Sequence, residues 1–158
     1  MPPRQLLMID VCVPYVEVLH LEGNRLEWLP AAVGDLARLE ELVAADNLLT
    51  VLPPSIARLA RLTRLDLARN KLRAGRVTAG DGAVVGVAGD AAGLAHVGGC
   101  AALTELRLEG NAGLHSVPAA LGALRALKVL ALDATAVAQV PAQVLTGCGA
   151  LHTLSMHG

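Results

Sequence analysis

The sequence predicts an α/β solenoid of about six to seven coils, with a curved parallel sheet on its concave face and short helices or turns on its convex face. Three observations predict this fold. Asparagines recur with gaps of 23, 23 and 41 residues, prolines recur with gaps of 23, 65 and 23 residues, and leucines stand at matching positions around both. Self-similarity at a fixed period of this length is typical of repeat architectures. The asparagines are Asn24, Asn47, Asn70 and Asn111, and the prolines are Pro30, Pro53, Pro118 and Pro141.

The repeated unit reads L-x-x-L-x-L-x-x-N-x-L-x-x-L-P-x-x-L-x-x-L-x-x. Its first six positions predict a short strand whose alternate side chains, such as Leu19 and Leu21, point inward. Because one unit cannot bury that face alone, stacked units close a continuous core and pair their strands into one sheet. Clear copies span 16–38, 39–61, 103–126 and 127–150, and further copies begin at 62 and 151.

The asparagine and the Leu-Pro pair mark the two corners of each coil. The asparagine turns the chain out of the strand, and we expect its amide to satisfy backbone groups of the turn, so that the four asparagines form a ladder from coil to coil. Proline fixes φ on the return side, where a short helix such as 31–37 can follow.

The pattern also sets the domain limits. We expect a cap-like segment at 1–15 and a single repeat domain at 16–158. The chain stops at Gly158, one residue before the next asparagine of the pattern. Since solenoids need polar caps at their ends, we expect a solenoid that is truncated at its C-terminal end.

Residues 73–102 depart from the pattern, because they are rich in Gly and Ala and lack the Leu-Pro pair. One interpretation is an insertion within the third repeat. The other is a degenerate coil, in which Val85, Val87 and Asp90 take the places of the strand leucines and the asparagine. We favour the degenerate coil, since it keeps the solenoid continuous.

The repeated unit resembles the leucine-rich repeat family, specifically its 23-residue intracellular type. The Leu-Pro copies are similar to plant and algal intracellular Ras-group-related leucine-rich repeat proteins. The ending at 140–158 is similar to plant leucine-rich repeat proteins that also carry a ubiquitin-like domain. The first resemblance implies a scaffold in intracellular signalling, with a small GTPase or a kinase-pathway component as partner. The alternatives are a substrate-receptor fragment of a ubiquitin-ligase complex and a fragment of a receptor or immune sensor.

Composition narrows the class of partner. The formal net charge is −1, and the chain has one Trp, one Tyr and no Phe. General nucleic-acid and membrane-surface binders are usually basic, and base stacking needs aromatic side chains. We therefore expect a protein partner, with no nucleic acid and no membrane. The three cysteines have no framework spacing, which favours a reducing, cytoplasmic setting.

The cysteines and histidines offer little chemistry. Cys100 and Cys148 stand in a column that leucines occupy in other coils, so we expect buried thiols that act as small apolar groups. His152 and His157 lack further ligands at metal-binding spacing. No catalytic arrangement is recognisable, and we expect neither an enzyme nor a cofactor or metal site.

The concave face is the predicted binding surface. Outward positions of the strands and of the turns that follow them would present polar side chains on a broad, rigid surface, which lowers the ordering cost of association. The predicted protein-binding residues are Glu17, His20, Glu22, Val43, Asp46, Arg64, Asp66, Arg69, Glu105, Arg107, Glu109 and Asp133.

Overall fold

The protein is described here by a computed structural model, which covers residues 15–73, 77–78, 84–86 and 91–158. Almost the whole of the predicted cap-like segment at 1–15 therefore lies outside the described residues. None of the helices in the described part of the chain is long and apolar enough to cross a membrane.

Six short parallel strands form the main sheet, in the order β1-β2-β3-β6-β7-β8. The predicted leucine columns set its register, because Leu19, Leu42 and Leu65 are direct partners in the first three strands and Leu106, Leu130 and Leu154 continue the row. This arrangement confirms the predicted solenoid. The strands are β1 Val18–His20, β2 Glu41–Val43, β3 Arg64–Asp66, β6 Glu105–Arg107, β7 Val129–Ala131 and β8 Thr153–Ser155.

Short helices return the chain on the opposite side of the core. After a Leu-Pro or Val-Pro pair, the helix begins at the residue that follows the proline. Pro30, Pro53 and Pro118 have φ of −65°, −70° and −74° with extended ψ, as their rings require. The first helix ends at Asp35, two residues before the predicted end of its segment. The 3-10 helices span Ala31–Asp35, Pro54–Arg58, Ala91–Gly93 and Ala119–Ala123, and the α-helices are α1 at Leu94–Val97 and α2 at Ala142–Gly147.

Leucines of successive coils fill one continuous core between the sheet and these helices. Leu42, Leu65 and Leu106 of the strands are fully buried, as are Leu59 and Leu124 behind the helices. Burial of this kind is the main stabilising contribution, about 1.5–3 kcal/mol for each fully buried leucine.

The segment between β3 and β6 corrects the favoured interpretation of 73–102. Strand β3 pairs directly with β6, whereas β4 at Val77–Thr78 and β5 at Val84–Gly86 form a separate two-stranded antiparallel sheet. The degenerate coil is therefore wrong: the segment contains an insertion within the third coil, and its last residues, which include Leu94, Val97 and Cys100, belong to that coil itself. Val85 lies on β5, outside the main sheet, while Val87 and Asp90 lie outside the described residues.

The third coil explains why the insertion is accommodated. Leu94, Val97 and Cys100 follow the insertion, are fully buried, and complete the core layer of this coil. Helix α1 contacts the 3-10 helices at Pro54–Arg58 and Ala119–Ala123 on either side of it. The Gly- and Ala-rich residues around Val85 carry too little apolar surface to form another layer of core.

Candidate protein-interaction surface

The side chains of the main sheet that point away from the core define the concave face. Strand residues alternate between the core and this face. The strand register aligns the outward residues in two columns. The first column is Val18, Glu41, Arg64, Glu105, Val129 and Thr153, and the second is His20, Val43, Asp66, Arg107, Ala131 and Ser155.

Two arginines organise the middle of the concave face. Arg64 Nη1 donates to Glu41 Oε1 at 2.9 Å, and Arg64 Nη2 lies 3.7 Å from Asp66 Oδ2. Arg107 Nε donates to Glu105, and this bond raises the pKa of the Arg107 guanidinium. Glu105 also lies 3.9 Å from Arg64 Nε, so it connects the two arginines. The result is one network of alternating charge across three neighbouring strands.

A second ion pair lies beside this network, in the turns that follow β2 and β3. Arg69 donates to both carboxylate oxygens of Asp46, at 2.6 and 2.5 Å. These hydrogen bonds lower the pKa of Asp46 and raise the pKa of Arg69. Both residues have positive φ, 55° and 52°, at a turn position that Gly110 fills in the next coil. A Cβ on Gly110 would lie 3.0 Å from Arg69 Cγ, so the missing side chain leaves room for the arginine.

Asp133 forms the polar cluster at the C-terminal end of the concave face. It accepts a hydrogen bond from the Ser155 hydroxyl and another from the His157 backbone N–H at 2.7 Å. His157 Nδ1 lies 2.6 Å from the same carboxylate. These contacts, the Ser155 bond first, lower the pKa of Asp133 to about 2.

Not all of the predicted binding residues are accessible. Val43 and Asp66 lie on the concave strands as predicted but are buried, each with 8% of its surface exposed. Arg64 lies on the same strand and the same face as Asp66, and its Nη2 reaches to 3.7 Å from Asp66 Oδ2. The exposed residues are Glu17, His20, Glu22, Asp46 and Arg69, and the half-buried ones are Arg64, Glu105, Arg107, Glu109 and Asp133.

Three residues that hold the predicted ones in place are missing from the predicted binding set. Glu41 is the main partner of Arg64, and Ser155 and His157 hold Asp133. The repeat register contains the signal for all three. Glu41 and Arg64 stand 23 residues apart in one column, as partners on neighbouring strands do.

Side-chain amides of asparagine hold the turns that end the strands. Asn70 Nδ2 donates to Ala44 O at 2.9 Å and Leu67 O at 3.0 Å, while its Oδ1 accepts from the Leu49 N–H. Asn47 and Asn111 make the corresponding bonds in their coils. Asn24 is exposed, and within the described part of the chain its amide bonds to its own turn; Thr135 in the fifth coil likewise bonds locally, to Leu132 O. The hydrogen bonds of Asn47, Asn70 and Asn111 therefore fix the turns beside the concave face in the same way in three successive coils.

The cysteines of the repeats are apolar core groups in the structure. Cys100 and Cys148 are free and buried, and their thiols donate to Ile56 O and Leu121 O, both at 3.2 Å. Burial raises the pKa of Cys100 to about 11 and also raises that of Cys148. Thiols of this kind are poor nucleophiles. Among the described residues, no group of three or more His, Cys, Asp or Glu side chains could hold a metal ion.

Comparison with known proteins agrees with this architecture. A family model described as a leucine-rich repeat matches residues 14–72. No curated protein sequence gives a significant match. A solved leucine-rich repeat protein of Leptospira interrogans is similar, with a TM-score of 0.72 and 29% identity over 88% of this chain and 30% of that chain.

Two plant receptors of Arabidopsis thaliana share the fold. The ectodomain of the membrane receptor kinase GASSHO1/SCHENGEN3, solved in complex with Casparian strip integrity factor 2, gives a TM-score of 0.68 at 25% identity, over 93% of this chain and 16% of that chain. The receptor kinase HAESA, solved with the peptide hormone IDA and a co-receptor, gives a TM-score of 0.66 at 23% identity, over 91% of this chain and 22% of that chain. The chain thus spans less than a third of the length of each of these three structures. The matches together support the leucine-rich repeat family.

Proposed function

We propose that this leucine-rich repeat solenoid is a non-catalytic protein-interaction module that binds a protein partner on its concave face. The observation that carries the proposal is the charged network of Glu41, Arg64, Glu105 and Arg107 on the concave side of the main sheet. Arg64 is held by Glu41 of the neighbouring strand and Arg107 by Glu105 of its own strand, so the polar groups are positioned before a partner arrives. Binding to such a preorganised surface loses less side-chain entropy than binding to a mobile one.

The structural neighbours support a protein or peptide as the partner. The GASSHO1/SCHENGEN3 ectodomain and HAESA were each solved in complex with a polypeptide ligand. The repeat surface of this chain has the same architecture, a parallel sheet with one polar face. We extend only the class of partner from those proteins to this one.

A finer part of the proposal concerns the setting. We propose a scaffold in cytoplasmic signalling, with a small GTPase or a kinase-pathway component as the partner. The 23-residue Leu-Pro repeat supports it by resemblance, and the unpaired thiols of Cys100 and Cys148 fit a reducing compartment.

A second candidate is a piece of a receptor that binds an extracellular peptide. The likeness to the GASSHO1/SCHENGEN3 ectodomain favours it. Microscopy of a fluorescent fusion in the source cells separates the two settings. Diffuse cytoplasmic signal supports the scaffold, and signal at the cell surface supports the receptor.

Affinity capture with matched steric variants tests the interaction module. Val129→Trp and Thr153→Trp add bulk to the first column of the concave face, whereas Ala123→Trp and Gln143→Trp add the same bulk to exposed positions on the helical side. We expect a partner captured by the unmodified chain to be lost from the first pair and retained by the second. Loss from the helical-side pair alone would place the binding surface elsewhere. Thermal melts of all four variants provide the control for folding.

A further inference from the structure

The coil that begins at 151 exposes the apolar side chains that fill the core in the other coils. Leu154 and Met156 are 39% and 38% exposed. In the preceding coil the corresponding residues, Leu130 and Leu132, are buried. Leu145 of α2 is exposed on the helical side of the same end. Within the described part of the chain, this layer of the core is therefore covered on one side only.

Strand β8 also has unpaired backbone groups along its outer edge. In the preceding coil, the Leu132 N–H donates to Ser155 O, and Lys128 O accepts from the next coil. The corresponding groups of the last coil, the Met156 N–H and His152 O, have no backbone partner among the described residues. The main sheet gives β8 a neighbour on one side only. An unpaired edge of this kind is a template for another strand.

The same end of the chain is free of Asp, Glu, Lys and Arg. Asp133 is the last of these residues in the sequence, and none occurs in 134–158. The opposite end differs, because the first coil at 16–38 contains six of them, among them Glu17 and Glu22 beside β1. Charged side chains on edge strands commonly prevent the association of like copies. At β8 a second copy meets an apolar surface without like charge.

A two-fold axis at Leu154 pairs two β8 strands in register. The Thr153 N–H and Ser155 O bond to the preceding coil, so the N–H and C=O of Leu154 between them point to the open edge. In an antiparallel pair centred there, Leu154 exchanges both hydrogen bonds with its copy. The Met156 N–H of each copy then donates to His152 O of the other. The unpaired edge groups all find partners, and the two Leu154 side chains lie side by side between the two cores.

We propose that two copies of this chain associate through β8 in a two-fold symmetric dimer, which joins the six strands of each copy into one sheet. The second copy takes the place of the polar cap that a solenoid needs. Two-fold contact closes after two copies, whereas contact between β8 and the charged β1 end continues into a filament. The pairing uses the edge of the sheet, so it does not rest on the proposed function. Both concave faces lie on the same side of the joined sheet, which gives the dimer two binding surfaces.

Sedimentation velocity of the purified chain tests the association. As the concentration rises from about 1 to 100 µM, we expect the mean mass to increase from 16.2 kDa towards twice that value. Leu154→Lys places a charge opposite its own copy, and Met156→Pro removes an N–H that the pairing with β7 does not use. Each variant should weaken association at least about tenfold. Val18→Lys is the control, because it adds the same charge to the exposed strand β1 at the other end, and it should associate like the unmodified chain.

Thermal melts of the three variants provide the control for folding. An unmodified chain that stays monomeric over the whole range overturns the inference. Retained association in both β8 variants, or an equal loss in Val18→Lys, overturns it as well.

A cysteine at the two-fold axis tests the register. The Cα atoms of such a hydrogen-bonded pair lie about 5.5 Å apart, within the range that a disulfide spans. In a Cys12→Ser background, where Cys100 and Cys148 are buried, we expect mild oxidation to link Leu154→Cys chains into dimers and to leave Val18→Cys chains monomeric. A Leu154→Cys chain that sediments as a dimer but forms no disulfide overturns the pairing through β8, as does equal crosslinking of both variants.

Discussion

The backbone N–H of Leu72 donates a hydrogen bond to Asn111 Oδ1 at 3.0 Å, although 39 residues separate the two. Leu49 and Asn70 form the same bond, also at 3.0 Å, across only 21 residues. The asparagine ladder therefore passes the insertion without a change in geometry. The third coil is an ordinary coil that the insertion interrupts, and the main sheet is continuous from β1 to β8.

Removal of Asn111 tests this continuity. Asn111 Nδ2 donates to Leu67 O at 3.0 Å and Leu108 O at 2.8 Å, in addition to the bond it accepts from Leu72. We expect Asn111→Ala to leave three buried backbone groups unpaired and to lower the free energy of unfolding by about 3 kcal/mol. Asn24→Ala is the control, since that amide is exposed, and should cost less than about 1 kcal/mol. Urea denaturation measures both, and equal losses would contradict the ladder.

Excision of the insertion should preserve the fold. Joining Arg73 to Ala92 restores a 23-residue spacing between the third and fourth repeats, and β3 already pairs with β6. Because loop length has a weak effect on closure entropy, we expect the free energy of unfolding to change by no more than about 1 kcal/mol. Excision of 127–150 serves as the comparison, because it removes a whole coil and its core layer and should lower the melting temperature strongly. A shorter chain that fails to fold in the first case alone would refute the assignment as an insertion.

Glu105 and Glu109 are expected to respond in opposite ways to loss of charge. Glu105→Gln weakens the pair with Arg107 and should destabilise the chain by up to about 1 kcal/mol. Glu109→Gln replaces a carboxylate whose Oε2 has no hydrogen-bond partner among the described residues, so the melting temperature should stay the same or rise. A larger loss for Glu109→Gln than for Glu105→Gln would show that Glu109 is already satisfied in the free protein.

The free energy of unfolding at acidic pH should depend on Asp133. Its pKa falls from 3.8 to about 2 on folding, so the carboxylate stabilises the native state above about pH 4, and this contribution is lost as the pH falls through 2. Carboxyl NMR titration should show the low value in the native protein. Ser155→Ala removes the largest cause and should move the pKa of Asp133 back towards 3.8. An unchanged value in that variant would assign the shift to His157 alone.

The buried thiols should be unreactive in the folded chain. With the pKa of Cys100 near 11, little thiolate is present at neutral pH, and the sulfur is fully buried. In a Cys12→Ser background we expect iodoacetamide to label Cys100 and Cys148 only after unfolding. Rapid labelling under native conditions would contradict their placement in the core.

The sequence was sufficient for the sheet register, because the leucine columns repeat at a spacing that places Leu42 beside Leu65. It was not sufficient for 73–102. Val85 and its neighbours have the spacing of a strand, and spacing alone does not show whether a strand has enough apolar surface around it to build a layer of core. The spacing therefore favoured a degenerate coil at 73–102, and this interpretation is wrong.

On the concave face, too, the repeat spacing predicts the direction of a side chain, whereas its burial depends on packing against neighbouring side chains. Alternation along a strand correctly assigned Val43 and Asp66 to the outward side. It did not reveal that both are buried, since the repeat spacing does not give the direction in which long neighbours extend, such as Arg64 towards Asp66. The cluster of Asp133, Ser155 and His157 depends likewise on contacts between two coils.

Site-specific photo-crosslinking tests the central claim most directly, because it reports which face touches the partner without weakening the interaction. A photoreactive phenylalanine derivative at Val18 or Thr153 lies on the concave face, and the same group at Ala123 or Gln143 lies on the helical side. We predict that one protein is covalently captured from both concave positions and from neither helical position. Capture of that protein from the helical positions alone would contradict the account.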